Sequence, residues 1–349
     1  MSNEEFIPFL TRFMLEKVKN TSLDKENVSS VFDSFTPLYF PDEGICFELI
    51  PQIGQYEEEK RKKMEQQLHL LIEKNSGMAV AGRYSLHNYV SRPTALFLLI
   101  RKKKKKEENG VLIGLLNFTI KSQIILLVSS ELFKAKKTIG LLLQLIESLV
   151  GYFIFTAGDE FLSLLSRIYR QDIQMYNIVY HFKDPRKIKE YLAKKSLDSQ
   201  YSLVFFDEKT IKDPNIVIKL PFLTDFYHYK HPDADLIEKI NQSPHCLVIN
   251  TQNQPIAGCR ANAFCKEFAI IGGVFTHHEY RRRGIGKNMC TRFIAYLLQH
   301  VQHIFLDTDE KNIPARNIYE SIGFQQIGHS LFIDHGSGVV KGILTERDY

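Results

Sequence analysis

Cysteine is scarce in this chain and follows no recognisable spacing. Cys46, Cys246, Cys259, Cys265 and Cys290 are odd in number, irregularly placed and free of any Cys-x-x-Cys pair. That argues against a disulfide framework and a thiolate metal site, and fits reduced thiols in a cytoplasmic protein. Long hydrophobic runs are lacking too. The longest apolar stretch, Ile139 to Ala157, is interrupted by Gln144, Glu147 and Ser148, too polar and too short for a membrane span. The acidic start Met1-Ser-Asn-Glu-Glu5 carries no apolar segment of the signal-peptide kind. Charge of one sign is weak. The net charge is +5, with the surplus in 101–106, 134–137 and 281–283. That is too small and too local for a nucleic-acid surface, and the lysines at 102–106 read as a solvated hairpin tip.

What the chain does have is enough length and apolar content for more than one core. It has 349 residues, 44% of them hydrophobic, and two domains are the natural expectation. Helices are expected over 4–19 and 56–74, strands over 94–100, 110–119 and 123–129, a helix over 138–150, a strand over 152–156 and a helix over 159–170. Residues 183–200, polar and lysine-rich, read as the boundary, giving domains 1–195 and 196–349. The second half reads strand 216–220, helix 233–241, hairpin 246–250 and 256–264, strand 268–276, helix 285–300, strand 303–308, helix 312–321 and a C-terminal hairpin, 325–333 with 338–345. Both halves thus run hairpin, strand, turn, helix, strand, helix. An α/β fold follows, with a mixed, mostly antiparallel sheet flanked by helices, present twice in tandem.

The segment Glu279-Tyr280-Arg281-Arg282-Arg283-Gly284-Ile285-Gly286-Lys287 stands between an apolar strand and a helix. A helix start presents unpaired N–H groups and the positive end of its dipole, so it attracts an anion. Two glycines allow a phosphate close to the backbone. Nucleotide motifs fail on particular residues. A P-loop needs glycine where Arg281 stands and Ser or Thr where Asn288 stands; a dinucleotide fingerprint needs a third glycine where Met289 stands. The competing reading is a basic, solvated helix start.

The pattern Arg-x-x-Gly-x-Gly at 281–286, after a strand ending Gly-Val-Phe-Thr, resembles the GNAT superfamily of acyl-CoA-dependent N-acyltransferases. So does Asn312-x-x-Ala315-x-x-x-Tyr319-x-x-x-Gly323-Phe324 downstream. The resemblance is firm over 256–328, extends to about 215–349, and does not reach the first half by motif. It implies that the amides from Arg282 to Lys287 hold the pyrophosphate of acetyl-CoA or another acyl-CoA. It implies that Arg281, Arg282, Arg283 and Lys287 add contacts to the phosphates, and that Phe275 and Thr276 offer backbone groups to the pantetheine arm. Asn312, Ala315 and Tyr319, at i, i+3 and i+7, share one helix face. Small Ala315 lets a ligand lie there, Asn312 is either a ligand contact or simply the helix N-cap, and the resemblance implies that Tyr319 is the general acid that protonates the leaving thiolate, the competing reading being a half-buried helix tyrosine without a chemical role. The implied reaction is direct acyl transfer to a small-molecule or peptide amine, without a metal. A non-catalytic CoA-binding or scaffold protein on the same fold is the alternative.

The strand offers no glutamate as base, which leaves Asp307, Asp309, Glu267 or water relayed through the backbone as candidates. His277 and His278, neighbours on an extended chain, are expected to point apart and be solvated. Gly272-Gly273 inside the strand suggests a bulge. The aromatic segment 221–232 suggests a lined acceptor pocket. In the first half, the corresponding turn, 131–140, has one glycine and no Asn-x-x-Ala-x-x-x-Tyr follows. That half is expected to be a degenerate copy, acting as a lid or shaping the substrate site.

Overall fold

The structure is a computed structural model that describes residues 38–50, 58–91, 96–103, 110–119, 123–148, 153–157, 159–168, 173–206 and 243–334. The expected helix 4–19, strand 216–220, aromatic segment 221–232, helix 233–241 and strand 338–345 lie outside the described residues. So do Lys104–Lys106. Packing divides the chain into two compact units: 1–177 with 328–347, and 178–327 with 348–349. The boundary expected at 195/196 lies inside the second of these, and the end of the chain falls largely in the first.

The first unit runs β1 (Leu38–Phe40), β2 (Ile45–Ile50), α1 (Glu58–Glu73), α2 (Ala79–Ser91), β3 (Leu96–Lys102), β4 (Val111–Thr119), β5 (Gln123–Val128), α3 (Lys136–Ser148), β6 (Phe153–Ala157) and α4 (Asp159–Ile168). Its strands follow one another in chain order from β1 to β6, all antiparallel except β5 with β6. Helix α3 turns Ile139, Leu142, Leu145 and Ile146 onto the sheet, where they meet Leu98, Ile113, Leu126 and Ile154. That i, i+3, i+7 stripe is what the sequence pattern promised. Helix α2 and strands β1 and β2 fall in segments that the sequence reading left unassigned.

The second unit takes in β7 (Ile173–Phe182) from Ile178 onward, α5 (Pro185–Lys194), β8 (Tyr201–Phe206), β9 (His245–Asn250), β10 (Pro255–Phe264), β11 (Phe268–Thr276), α6 (Ile285–Leu297), β12 (His303–Asp309) and α7 (Ile313–Ile322). The last strand, β13 (Phe324–Asp334), begins here; its later residues Ser330–Asp334 pair with β6 in the first unit's set. Strand order across the second unit is β13, β7, β12, β11, β10, β9, β8. Helix α6 buries Ile285, Met289, Cys290, Phe293, Ile294 and Leu297 on the alternate residues of the sheet, Val248, Ala257, Cys259, Ala261, Ala269, Ile271, Ile304 and Leu306.

Helix α5 lies within 183–200, the stretch read as the domain boundary. Asp184 caps it, its Oδ1 accepting from Arg186 N at 3.2 Å, and Pro185 occupies the first turn. Ile188 is buried and Leu192 packs on the same core. The Asp-Pro pair was a legible start signal, hidden by the surrounding lysines, which belong to the helix's solvated face.

Candidate active site

Strands β11 and β12 run parallel and part early. They pair only at Phe268–His303, Ala269–Ile304 and Ile270–Phe305, whereas β11 stays paired with β10 to Thr276. Burial falls along β11 as it leaves: Phe268 to Ile271 are buried, and the residues from Gly272 onward are not. The pairing with β10 slips between Arg260–Gly272 and Gly258–Phe275, so three steps on β11 oppose two on β10. This is the bulge that Gly272-Gly273 suggested, and Gly273 takes φ +55°.

His277 N donates to Ile256 O at 2.8 Å. With Thr276 opposite Ala257, that bond makes the pair non-hydrogen-bonded, so Thr276 directs its own N–H and C=O away from β10, to the open edge. By strand alternation the backbone groups of Phe275 face β10. Of the two residues assigned to the pantetheine edge, Thr276 presents its backbone outward. Phe275 contributes its ring instead, which lies 6.0 Å from the Arg281 guanidinium.

The turn that follows builds a cradle of amides. Gly284 is the N-cap of α6 at φ +77°, without a side-chain cap, and the first backbone bond of the helix is Asn288 N to Gly284 O at 3.0 Å. Among the described residues the amides of Ile285, Gly286 and Lys287 meet no acceptor. Nothing lies within 4 Å of where a Gly284 Cβ would be, so the space over the helix start is open. At Gly286 a Cβ would stand 3.0 Å from Thr276 Oγ1, so this glycine lets α6 close on the end of β11. Arg282 adopts φ +62°, a left-handed conformation that costs an L-residue roughly 1–2 kcal/mol. Strain of this kind gathers where backbone must be aimed at something.

The four cations are placed individually. Arg281 Nε donates to Thr276 O at 2.9 Å, tying the turn to the strand end. Arg283 lies over the Tyr280 ring at 5.3 Å and Lys287 over the Tyr191 ring at 5.4 Å. Arg281, Arg282 and Arg283 are exposed and Ile285 is anchored in the core, so the last offers only its amide. His277 and His278 do not point apart: their rings stand 4.4 Å from each other. The chain leaves the extended form there for a single 3-10 turn, 278–280, which swings the second ring back onto the first. Among the described residues there is no group of three His, Cys, Asp or Glu that could hold a metal ion.

Helix α7 closes the site. Asn312 is its N-cap, Oδ1 accepting from Ala315 N at 3.2 Å, which supplies the capping role. Ala315 is half-buried and Tyr319 is buried, its ring 6.4 Å from Tyr180 and 5.9 Å from Phe324. The sequence reading missed the network behind it. Tyr180 OH donates to Glu320 Oε1 at 2.7 Å and accepts from Arg316 Nε at 3.4 Å. Burial, then the bond to Glu320, pushes the Tyr180 hydroxyl above its ordinary pKa, so it remains a donor. Its only signal was a tyrosine in an alternating apolar run, 173–182, left unassigned.

In the first unit the same places are filled. The parallel pair β5–β6 stays together over five residues, Gln123–Phe153 through Leu127–Ala157, so no comparable edge opens. The start of α3 already holds an anion. Glu43 accepts from Lys137 N at 2.7 Å, from Thr138 N at 3.0 Å and from Thr138 Oγ1 at 2.6 Å. Replacing a side-chain cap costs about 1 kcal/mol. Glu43→Ala is therefore expected to lower the unfolding midpoint in urea while leaving acetyl-CoA affinity unchanged, as chemical denaturation and calorimetry would show.

Residues 216–324 match the sequence model of the Acetyltransferase (GNAT) family. This stretch is a GNAT-family domain. The parted β11–β12 pair and the uncapped α6 start both lie within it. The GNAT domain gives the chain an acyltransferase framework, and the family draws its acyl groups from acyl-CoA. No curated protein matches the chain. Among solved structures, a tandem GNAT protein from the clavulanic acid biosynthesis pathway, solved without AcCoA, is similar at 13% identity and TM-score 0.52, covering 82% of this chain and 97% of that one. A Drosophila protein is similar at 10% identity and TM-score 0.50, covering 79% and 97%. These likenesses show the fold, an α/β architecture shared over most of the chain. Among the described residues no helix is long and apolar enough to cross a membrane.

Proposed function

We propose that the chain is an N-acyltransferase that moves an acyl group, most simply acetyl, from acyl-CoA to a primary amine. The observation that carries this reading is the juxtaposition of an open strand edge at Thr276 with the unpaired amides of Ile285, Gly286 and Lys287. Amides from Arg282 to Lys287 take the pyrophosphate, since two charged phosphates fit a nest of N–H groups at a helix start. The Thr276 N–H, which faces away from β10, donates to a pantetheine carbonyl, while its C=O is held by Arg281 Nε. The amine nitrogen attacks the thioester carbonyl, the C–N bond forms, the C–S bond breaks, and Tyr319 gives its proton to the departing thiolate. The catalytic region is then the second unit alone.

Direct attack needs no cysteine nucleophile, and the thiols agree. Cys46, Cys246, Cys259 and Cys290 are buried. Burial pushes the Cys290 thiol up to about 12 and the half-buried Cys265 thiol up to about 11, so neither of these two is a thiolate near neutral pH. Iodoacetamide at pH 7 is expected to leave transferase activity intact; inactivation that tracks labelling of Cys290 would contradict direct attack. The reading itself is tested with acetyl-CoA and a panel of primary amines, following free thiol and acylated product together. Thiol release matched by amide product supports it. Tight binding of CoA with no turnover across the panel replaces it with the non-catalytic alternative.

A further inference from the structure

Two bulges bracket Gly272, one on each of the paired strands. The bulge in β11 follows it at Gly273. The second is in β10, where Ala261 stands opposite Ile271 and Ala263 opposite Ile270, so Asn262 is an extra residue in the ladder. A bulge re-aims a side chain, and such features gather beside active sites. Here it brings Asn262 over Gly272: a Cβ on that glycine would fall on the Asn262 amide nitrogen. The missing side chain is what makes room for the amide. Gly272 comes two residues after Ile270, the last residue of β11 to pair with β12, so the amide stands where the two strands part.

The orientation of that amide is set by its neighbour. Arg260 Nε donates to Asn262 Oδ1 at 2.8 Å. A guanidinium has donors only, so the oxygen faces the arginine and the nitrogen is left over the glycine. Asn262 is half-buried, and its side chain makes no other hydrogen bond among the described residues, so both N–H groups of Nδ2 are available as donors. The face it occupies matters as well. Ile271 packs in one core with α6 and with Tyr319 of α7, and a Gly286 Cβ would stand 3.7 Å from Ile318 Cδ1, where the two helices meet. By strand alternation Gly272 belongs to the opposite face. With both helices and the acid on one face of the parted strands, an amine reaches the thioester from the face that Asn262 overlooks. The four residues from Thr276 back to Gly272 span about 13 Å, comparable to the reach of a pantetheine arm from its first amide to its thioester.

We propose that Asn262 selects the acceptor: its Nδ2 donates to an oxygen, carbonyl or hydroxyl, on the carbon next to the one that bears the acceptor's amine. The inference rests on the acyltransferase reading of the same site. Nδ2 has nothing to offer the attacking nitrogen itself, whose lone pair goes to the thioester carbon and whose protons need an acceptor. An oxygen on the neighbouring carbon accepts from Nδ2 and holds the amine at the end of the pantetheine arm. Arg260 acts through Asn262, as the residue that positions the amide.

The test uses the full chain with saturating acetyl-CoA and acceptors paired so that one member has the oxygen and the other lacks it, ethanolamine with propylamine and alaninamide with 1,2-diaminopropane. The members of a pair also differ in basicity, so the readout is the change in their kcat/KM ratio between wild type and variant. Loss of one neutral hydrogen bond predicts that Asn262→Ala lowers the ratio of oxygen-bearing to oxygen-free acceptor about 3- to 10-fold in the preferred pair, chiefly through the acceptor's KM. Asn262→Asp, which keeps the shape and the oxygen facing Arg260 but has no N–H, is expected to lower it at least as far. Unchanged acetyl-CoA affinity shows that the variants are folded. A ratio that Asn262→Ala does not move overturns the inference while leaving the acyltransferase reading intact. So does an equal fall in kcat for both members of every pair, which would place the amide on the thioester instead of the acceptor. No turnover of any amine overturns both.

Discussion

Tyr319→Phe is expected to lower kcat by about 10²- to 10⁴-fold, the range in which a positioned proton donor contributes, while the KM for acetyl-CoA moves little. The substitution removes one oxygen and keeps the ring, which is what packs against Tyr180 and Phe324. Core packing therefore survives, and stability is expected to change by less than about 1.5 kcal/mol. Steady-state kinetics at saturating amine separates the two parameters. A kcat within twofold of wild type would remove Tyr319 from the chemistry and leave it a core tyrosine. Tyr180→Phe makes an informative companion. It cuts the bonds to Glu320 and from Arg316 without touching Tyr319 covalently, so its effect measures how far that network positions helix α7.

The second large effect is expected at Gly284. Gly284→Asp places a carboxylate over the amides of Ile285, Gly286 and Lys287, in the open space above the helix start. It also forces a side chain onto φ +77°, a strain of roughly 1–2 kcal/mol. Like charges brought within a few ångströms of a bound pyrophosphate are strongly unfavourable, so acetyl-CoA affinity is expected to fall at least 100-fold by isothermal calorimetry. Gly284→Ala separates the two causes, since it carries the strain without the charge. Should Gly284→Asp bind acetyl-CoA as wild type does, the pyrophosphate does not lie on this turn.

Much of the second unit was legible because the residues of its motifs also shape its local fold. The run Phe268 to Thr276, the glycines at 284 and 286 and the Asn312-Ala315-Tyr319 spacing each mark a strand, a helix start and a helix face, and the structure has β11, α6 and α7 there. The bulge at Gly272-Gly273 could be read because a paired glycine in a strand has few other uses. Other features are properties of the fold. That β11 parts from β12 after Ile270 depends on pairing between distant segments, and no local pattern encodes it. The direction of Thr276's backbone follows from one long-range bond to Ile256. Arg260 carries no motif at all, and its place opposite Gly272 exists only once β10 and β11 are in register. The misread histidine pair has a local cause: alternation assumes an extended chain, and the chain turns at 278.

The first unit shows how a related arrangement can lack both features. Its parallel strands stay zipped over five pairs, and Glu43 occupies the two amides and the hydroxyl that an incoming anion would need. A protein carboxylate tethered in place is present at every moment, whereas a ligand must be bound from solution. Each chain is therefore expected to bind one acyl-CoA.

The most direct measurement is the electron density of crystals grown with acetyl-CoA. The expected result is one molecule per chain, its pyrophosphate on the amides from Arg282 to Lys287, its pantetheine against Thr276 and its thioester within reach of Tyr319. Acetyl-CoA at the start of α3, with Glu43 displaced, or a pyrophosphate anywhere other than the Arg282–Lys287 turn, would contradict the account.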